Sequence, residues 1–460
     1  MTKLSPVILW FRRDLRLHDN PALAAAVRSG APVVAAFIVS PEADDPWSPG
    51  ERAQSWLRVS LDHLAASLGE RGLRLILRIG RPELCLAQLA AETGAATVLW
   101  NTQYDPTDRA EETRVAEALA KVGVASRTHE SDVLHRPGSI LTGAGRPHSV
   151  FTPFYRAFLR MPPLAPSLSA PRTMTPMRRW PASVSLNTAF GKQAQRPILS
   201  DWHPGEEGAI KRAKRFKAHA LDSYESARDL PAVEGISRLS PHLHFGEVSP
   251  RQLWQSLTTV PGSGAFLRQL VWREFARHIL FHKPELTEQP MRGAFAKFPW
   301  QPDPAQTSAW QEGRTGYPLV DAGMRELRET GFMHNRVRMV VASFLVKHLL
   351  QPWQTGTRWF WDQLYDADLA NNTLGWQWVA GCGPDAAPYF RIFNPVLQGE
   401  KFDPEGAYVL RWVPELKGVP VRWLHQPWLA SVKPRRYPKP IVEHTAARER
   451  ALAAYATIRD

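Results

Sequence analysis

The sequence has 460 residues, 44% of them hydrophobic, and a formal net charge of +13. This length exceeds a single ordinary core and predicts two or three domains. Only two cysteines are present, which excludes a disulfide framework and a four-cysteine iron–sulfur cluster. The excess of Lys and Arg favours a nucleic acid over a membrane as partner, since no apolar run could span a bilayer. No signal-peptide pattern opens the sequence, so we expect a cytoplasmic protein.

The N-terminal part alternates short apolar runs with helical patterns. The apolar runs predict four strands, at residues 7–11, 33–39, 73–79 and 96–100. The helical patterns predict four helices, at residues 21–29, 51–71, 82–93 and 108–122. Buried strands alternating with helices imply a parallel sheet covered on both faces, so we predict a Rossmann-like α/β domain over residues 1–135. No Gly-x-Gly-x-x-Gly follows the first strand, which disfavours a dinucleotide dehydrogenase.

A proline-rich stretch separates this part from the rest of the chain. Seven prolines between residues 160 and 197 indicate a long surface connection, and we predict an interdomain linker over residues 136–205. The basic run at residues 211–217 is typical of a solvated helix face. Helical patterns then dominate, at residues 250–257, 265–281, 319–330, 334–350 and 358–369. We therefore predict an all-α domain over residues 206–460.

Residues 366–378 have the sequence Asp-Ala-Asp-Leu-Ala-Asn-Asn-Thr-Leu-Gly-Trp-Gln-Trp. A turn at this point would direct the carboxylates of Asp366 and Asp368 at one partner, with Asn371 and Asn372 just beyond. No His or Cys stands at metal-ligand spacing. A capped helix start followed by core aromatics explains any one of these residues. Together they favour a pocket for a large polar-aromatic ligand.

A second polar stretch, Gly-Ile-Ser-Arg-Leu-Ser-Pro, occupies residues 235–241. Its two hydroxyls, guanidinium and successive backbone amides precede a helical pattern, and such a turn can hold phosphate oxygens. Ser-Pro before a helix is also a common cap, so this stretch alone is a weak signal.

Three further motifs carry a resemblance: Leu-Trp-Phe-Arg-Arg-Asp-Leu-Arg at 9–16, Gly-Phe-Met-His-Asn-Arg-Val-Arg-Met at 331–339, and Asp-Ala-Ala-Pro-Tyr-Phe-Arg-Ile-Phe-Asn-Pro at 385–395. With the two stretches above, they resemble the photolyase and cryptochrome flavoproteins in order and spacing, most closely the bacterial cyclobutane-dimer photolyases. The resemblance implies an antenna-binding α/β domain and a helical FAD-binding domain. It implies a lyase, expected to be a monomer, that repairs cyclobutane pyrimidine dimers in DNA. In light, reduced FAD would pass an electron to a flipped-out dimer.

The resemblance also implies a cofactor site without a metal. The residues that would bind FAD are Tyr224, Ser237, Arg238, Leu239, Ser240, Arg273, Arg338, Asp366, Asp368 and Asn372. Ile236 stands where many members have threonine, which removes one hydroxyl contact. Arg338 and Asp366 would form a buried ion pair under the flavin. Asn372 would face flavin N5 as an acceptor without an acidic proton, unlike the aspartic acid of plant cryptochromes. Because this assignment rests on counting residues from Asp366 along the sequence, Asn371 stays an alternative.

Two more sets of residues follow from the same resemblance. The electron relay from the surface to the flavin would consist of Trp300, Trp353 and Trp376, although each alone is compatible with core packing. The residues that would contact the dimer are Gln269, Trp272, Asn335, Arg336, Met339 and Trp378. Apolar walls and amide donors suit an extruded lesion. Gln269 departs from the glutamate of most cyclobutane-dimer photolyases.

Two alternative functions and two antenna chromophores stay open. A (6-4) photolyase has two histidines where this sequence has Asn335 and Met339, and His334 on the predicted helix would point about 100° away from Asn335. A cryptochrome photoreceptor often carries a C-terminal extension, which is not expected here. For the antenna, methenyltetrahydrofolate is favoured over a deazaflavin, with Asp108 as a faint hint.

Overall fold

The computed structural model describes residues 4–40, 46–191, 194, 196–385, 391–431 and 434–459. Its five parallel strands form one sheet in the order β3-β2-β1-β4-β5. The strands are β1 (Val7–Phe11), β2 (Val33–Val39), β3 (Leu75–Ile79), β4 (Thr97–Asn101) and β5 (Ala125–His129). The four predicted strands are confirmed, with starts shifted by up to two residues. The edge strand β5 was not predicted, because its polar sequence lacks the apolar signal of a buried strand.

Four helices accompany these strands: α1 (Pro21–Arg28), α2 (Glu51–Gly69), α3 (Pro82–Thr93) and α4 (Pro106–Lys121). All four were predicted, with ends that differ by up to two residues. Asn20 fixes the start of α1 because its side chain accepts a hydrogen bond from the Leu23 amide, and Pro21 suits the first helical position. Apolar residues of the inner strands pack with those of α3 and α4 into one core, among them Ile8, Val34, Val98, Leu86 and Val115.

The loop after the carboxyl end of β1 is covered by a later segment of the chain. In a sheet of this order, the crevice beside the first strand is where ligands commonly bind. Here Leu15 donates its amide to the Phe245 carbonyl at 3.2 Å. Gly246, at φ +64°, lies so close that a Cβ would be 2.1 Å from the Arg13 carbonyl oxygen. The segment at 245–246 therefore packs directly against the loop that follows β1.

The chain divides into two compact units. The first contains residues 1–148, 154–219 and 237–284, and the second contains 149–153, 220–236 and 285–460. The first unit thus includes helical segments that follow the sheet in sequence. The predicted domain boundaries at residues 135 and 205 stay a prediction.

In the described part of the chain between the sheet and residue 284 there are seven α-helices: α5 (Phe151–Phe158), α6 (Leu186–Phe190), α7 (Glu206–His219), α8 (Tyr224–Ala227), α9 (Ser240–His244), α10 (Pro250–Leu257) and α11 (Gly264–His282). The predicted helices at 250–257 and 265–281 are confirmed as α10 and α11. The predicted linker runs along the sheet edge, where Val184 donates its amide to the Leu77 carbonyl at 3.1 Å. It also contains two short helices, α5 and α6.

Eight α-helices follow among the described residues of the second unit: α12 (Pro304–Gln311), α13 (Pro318–Thr330), α14 (Asn335–Ser343), α15 (Trp353–Gln363), α16 (Leu369–Ala380), α17 (Pro395–Phe402), α18 (Ala407–Trp412) and α19 (His444–Ala456). The predicted helix at 334–350 is α14 followed by a π-helical turn, Phe344–His348. The predicted helix at 358–369 is wrong at both ends. Pro352 precedes an earlier start, and the chain turns extended at Leu364. None of the described helices combines the length and apolarity needed to cross a bilayer.

Candidate functional site

Helix α14 and the loop before α16 are joined by the predicted ion pair. Nη2 of Arg338 lies 3.0 Å from both carboxylate oxygens of Asp366, and Nε of Arg338 donates to the Met333 carbonyl at 2.7 Å. Asp366 is buried and Arg338 is half-buried. The pair is therefore present as predicted, with one partner still in reach of a bound molecule.

Asp368 caps helix α16. Its Oδ1 accepts hydrogen bonds from the backbone amide of Asn371 at 2.9 Å and from the side-chain amide of the same residue at 2.8 Å. The capped helix start considered from the sequence is confirmed at this position. The cap also fixes where the buried Asp368 carboxylate points, so capping and cofactor binding are compatible uses of one group.

The two asparagines that follow have different surroundings. Asn371 is exposed, and its side chain is held by Asp368. Asn372 is half-buried, and its Nδ2 donates to the Thr357 carbonyl on α15 at 3.0 Å. This bond orients the amide and leaves the side-chain oxygen of Asn372 able to accept. Such a fixed acceptor supports the prediction that Asn372, rather than Asn371, faces flavin N5.

The three relay tryptophans all belong to the second unit. Trp376 is buried and packs edge-on against Phe360, at 4.9 Å between ring centroids. Its ring lies against the α15 backbone, where a Cβ on Gly356 would come 2.0 Å from Cη2. Trp353 is buried at the start of α15, and Trp300 is half-buried 4.3 Å from the Phe298 ring. Their use as a relay stays a prediction.

Two predicted dimer contacts lie side by side on α14. Asn335 is exposed and Met339 half-buried, one turn apart, with Asn335 Nδ2 3.9 Å from the Met339 sulfur. On α16, Trp378 is half-buried and donates Nε1 to the Asp385 carbonyl at 3.2 Å. An amide, a thioether and an indole are thus accessible in the second unit, as an extruded aromatic base requires.

Arg336 brings in residues that the sequence did not single out. Its guanidinium bonds to Asp229 at 2.7 Å and lies 4.4 Å over the Phe402 ring. Lys401 approaches the same ring at 5.3 Å. The adjacent Lys401 and Phe402 are an aromatic–basic signal, but the chain has 57 Lys and Arg residues, so the sequence could not distinguish this pair. Arg336 and Lys401 form a small cationic face near Asn335, in which Asp229 neutralises one of the two charges.

His334 is the N-cap of α14 and lies outside the helix. Its backbone ψ of 135° is extended, and its Nδ1 accepts from the Arg336 amide at 3.2 Å. The prediction that it lies on the helix, about 100° from Asn335, is therefore wrong. Burial lowers the pKa of His334 to about 4. The ring is neutral near pH 7 and cannot act there as a strong acid.

In the first unit, the predicted phosphate turn leads into α9. The hydroxyl of Ser237 accepts from the Leu239 amide at 3.3 Å, and Ser240 is the first residue of the helix. Arg238 has a left-handed φ of +53°. In the second unit, Tyr224 is buried at the start of α8 with the Arg228 guanidinium 5.4 Å over its ring.

Helix α11 carries three predicted site residues. Gln269 and Trp272 are half-buried and nearly one turn apart. Arg273 is buried, and its Nη1 donates to the Asp132 carbonyl at 2.6 Å. Burial would raise the pKa of Asp132, but Arg273 and Arg277 outweigh it and lower that pKa. The Arg273 guanidinium is therefore held by Asp132, and its contact to a cofactor stays a prediction.

The chemistry of these groups fits a flavin dinucleotide. The ion pair of Arg338 with Asp366 and the fixed acceptor of Asn372 suit a polar ring edge, while hydroxyls and a guanidinium near 237–240 suit phosphates. His334 adds a buried ring nitrogen, Nε2, that has no hydrogen-bond partner within the described chain. Within those same residues, no cluster of three or more His, Cys, Asp or Glu could hold a metal ion.

Two parts of the chain match domains of known protein families. Residues 7–176 match the DNA photolyase domain, and residues 266–457 match the FAD binding domain of DNA photolyase. The deoxyribodipyrimidine photo-lyase of Agrobacterium fabrum is 46% identical over 99% of both chains. Cryptochrome-1 of Arabidopsis thaliana is 40% identical over 92% of this chain and 65% of its own length.

A solved structure has the same fold along the whole chain. The crystal structure of a class III photolyase from Agrobacterium tumefaciens superposes with a TM-score of 0.94 at 44% identity, covering 100% of this chain and 98% of that one. Sequence and structure therefore agree over their full lengths. The chain belongs to the family of DNA photolyases and cryptochromes.

Proposed function

We propose that the protein is a deoxyribodipyrimidine photo-lyase, a carbon–carbon lyase that repairs cyclobutane pyrimidine dimers in DNA under blue or near-ultraviolet light. The observation that carries this proposal is the accessible face of α14, where Asn335 and Met339 lie 3.9 Å apart. An amide and a thioether can hold a dimer but cannot protonate it. The similar protein of Agrobacterium fabrum carries the same activity in its name.

Reduced FAD, when bound, supplies the electron that opens the cyclobutane ring and takes it back afterwards. The part of this chain is binding and orientation. The proposed cofactor residues are those predicted from the sequence: Tyr224, Ser237, Arg238, Leu239, Ser240, Arg273, Arg338, Asp366, Asp368 and Asn372.

Within the second unit the chain's own groups divide these tasks. The Arg338–Asp366 pair would offer carboxylate oxygens, held by the guanidinium, to ring and ribityl donors. The Thr357 carbonyl holds the amide nitrogen of Asn372, so that the amide oxygen would be available to accept a hydrogen bond from flavin N5. Trp376, followed by Trp353 and Trp300, would bring electrons to an oxidised flavin. A path from the surface inward is supported by exposure, since Trp300 is half-buried whereas Trp353 and Trp376 are buried.

DNA binding would use the cationic face around Arg336, with Lys401 as a second phosphate contact. The dimer itself would contact Gln269, Trp272, Asn335, Met339 and Trp378. Because Lys and Arg release counterions from DNA phosphates, affinity should fall as salt rises.

A (6-4) photolyase is the first rival. Reversal of that product moves a hydroxyl group and a proton, which requires an acid in the site. Asn335 and Met339 are not acids, and His334, with its pKa near 4, is deprotonated at neutral pH. The second rival is a cryptochrome, which the Arabidopsis relative supports, and binding to damaged DNA separates it from a repair enzyme.

For the antenna we propose methenyltetrahydrofolate bound to the first unit. Asp108, the hint in the sequence, is occupied by ion pairs with Arg12 and Arg13. Better support comes from Tyr104, 6.2 Å from Phe281, because its hydroxyl is buried without a hydrogen-bond partner among described residues. Such groups usually find a partner in a ligand or in water.

The proposal is tested by cofactor release and by binding in the dark. Chromatography of heat-released chromophores should yield FAD and a folate. The protein should retard an oligonucleotide containing a cyclobutane dimer more than the undamaged one, and Arg336→Ala should weaken that binding. Arg314→Ala, an exposed arginine paired with Glu312, is the matched control and should bind normally. A flavin-bound protein that does not distinguish damaged DNA would favour the cryptochrome.

A further inference from the structure

The turn proposed to hold the FAD diphosphate contains a backbone conformation that its sequence does not favour. Arg238 lies at φ +53°, a region that glycine adopts readily and arginine avoids because its Cβ crowds the following carbonyl. Such a conformation persists where the surrounding structure enforces it. The turn therefore needs support from outside residues 237–240.

Two tryptophans provide the first part of that support. The Arg238 guanidinium lies 4.3 Å over the ring of Trp202, a favourable cation–π contact. Trp202 meets Trp56 of α2 edge-on at 5.5 Å. Trp56 is fully buried and also contacts the rings of His242 at 5.3 Å and Phe245 at 6.1 Å. An aromatic cluster thus joins the arginine of the turn to the helix that follows it.

One carboxylate anchors this cluster. Glu247 is 0% exposed and accepts from Nε1 of Trp56 at 2.9 Å and from the Gly205 amide at 2.7 Å. Its oxygens also bond to the Ser60 hydroxyl and to Nδ1 of His242. Four donors around one buried carboxylate hold it strongly, since each would lose its partner if the group were removed. Glu247 therefore ties α2, the chain at Gly205 and α9 to one point.

We propose that Glu247 and Trp56 are positioning residues for the FAD diphosphate. Neither belongs to the predicted cofactor set. Glu247 fixes the ring of Trp56, Trp56 supports Trp202, and Trp202 holds Arg238 in its left-handed conformation within the turn. The α/β part of the chain thereby acts in cofactor binding through α2. This inference rests on the proposed function, because it requires the turn to bind FAD.

The test is a double-mutant cycle on FAD affinity. Glu247→Gln keeps the shape and replaces one acceptor oxygen by a donor, so the cluster loses its anchor. We expect the dissociation constant for FAD to rise at least tenfold. Arg238→Ala should also raise the dissociation constant for FAD. The double variant should have a dissociation constant within threefold of that of Arg238→Ala alone. Residues that act through one another are non-additive in this way.

Asp321→Asn is the matched control. Asp321 is also 0% exposed and also has four donor contacts, from the Thr315 amide and hydroxyl, the Gly316 amide and the Tyr437 hydroxyl. It should lower thermal stability as Glu247→Gln does and leave FAD affinity within threefold of wild type. If Glu247→Gln does not fold, Trp56→Phe, which removes the Nε1 donor and shortens the ring but keeps an aromatic group there, enters the same cycle.

Additive losses in the cycle, or normal FAD affinity in folded Glu247→Gln or Trp56→Phe, would overturn the inference. A wild-type protein that binds no FAD would instead refute the proposed function. Normal FAD binding by Arg238→Ala would also overturn the inference, because the contacts from Glu247 through Trp202 would then hold a residue that FAD binding does not need.

Discussion

Gly356→Ala is expected to move the proposed first relay residue without touching the cofactor set. Gly356 is buried in α15, and an added Cβ would lie 2.0, 2.4 and 2.6 Å from three carbon atoms of the Trp376 ring. Carbon atoms in contact are separated by about 3.5–4.0 Å, so the ring has to withdraw by roughly 1.5 Å. An indole is rigid and this one is buried, so the displacement is transmitted to its neighbours Phe360 and Trp310.

The cost follows from two opposing terms. Overpacking a core costs about 1–3 kcal/mol, whereas alanine is favoured over glycine inside a helix by about 1 kcal/mol. Because the overlap is large, we expect a net loss of about 1–2 kcal/mol in the free energy of unfolding. Gly69→Ala is the control, since Gly69 is in α2 and a Cβ there would meet nothing within 4 Å. That variant should be as stable as wild type or slightly more stable.

Urea unfolding and light-driven reduction of oxidised flavin are the two assays. Gly356→Ala should photoreduce more slowly than wild type and Gly69→Ala at the normal rate. Repair by chemically reduced protein should be unchanged in both variants. If Gly356→Ala matches wild type in stability and in photoreduction, then the ring of Trp376 does not lie against α15 as described.

Three more outcomes are expected. Trp376→Phe should block photoreduction of oxidised flavin, measured by absorption under blue light, and leave repair by chemically reduced protein intact. Asn372→Asp should shift the light-induced spectrum toward a flavin protonated at N5, because a carboxyl can supply the proton that an amide cannot; an unchanged spectrum would favour Asn371 as the N5 neighbour. Burial lowers the pKa of Lys347 to about 7, so the unfolded chain binds more protons than the folded one between pH 7 and about 10, and stability should rise with pH over that range. Lys347→Met should flatten this rise in urea unfolding at pH 7 and pH 9.5, and a rise of wild-type size in the variant would exclude Lys347 as its source.

The fold was predictable where burial leaves a pattern in the sequence. The strands β1 and β2 are continuous apolar runs, β3 and β4 are mostly apolar, and the helices between them show a helical period. The pattern failed where polar residues are part of a regular element or of a core. β5 is exposed and polar, and the π-helical turn after α14 buries Lys347 and His348. Helix α16 was not among the helices predicted from periodicity, and its start at the Asp368 cap was indicated only by the residue types at 366–372.

The site was predictable to the extent that motifs place its residues close in sequence. The pair of Arg338 with Asp366 follows from two motifs of the family and is present in the structure. The anchoring role of Glu247 was not predictable, because its partners Trp56 and Ser60 lie 191 and 187 residues away along the chain. Nor could the sequence show that Asp132 holds Arg273, since only folding brings the carboxylate and backbone carbonyl of Asp132 to the helix.

Repair of defined oligonucleotides decides whether the lesion is a cyclobutane dimer or a (6-4) product. Two duplexes are compared, one with a cyclobutane dimer and one with a (6-4) product at the same site, each incubated with protein containing reduced FAD. Under blue light we expect the cyclobutane dimer to be converted back to two pyrimidines and the (6-4) product to stay unchanged. In the dark we expect no repair of either lesion. Repair of the (6-4) product would contradict the proposed substrate, since neither Asn335 nor Met339 can supply the acid that this reaction needs.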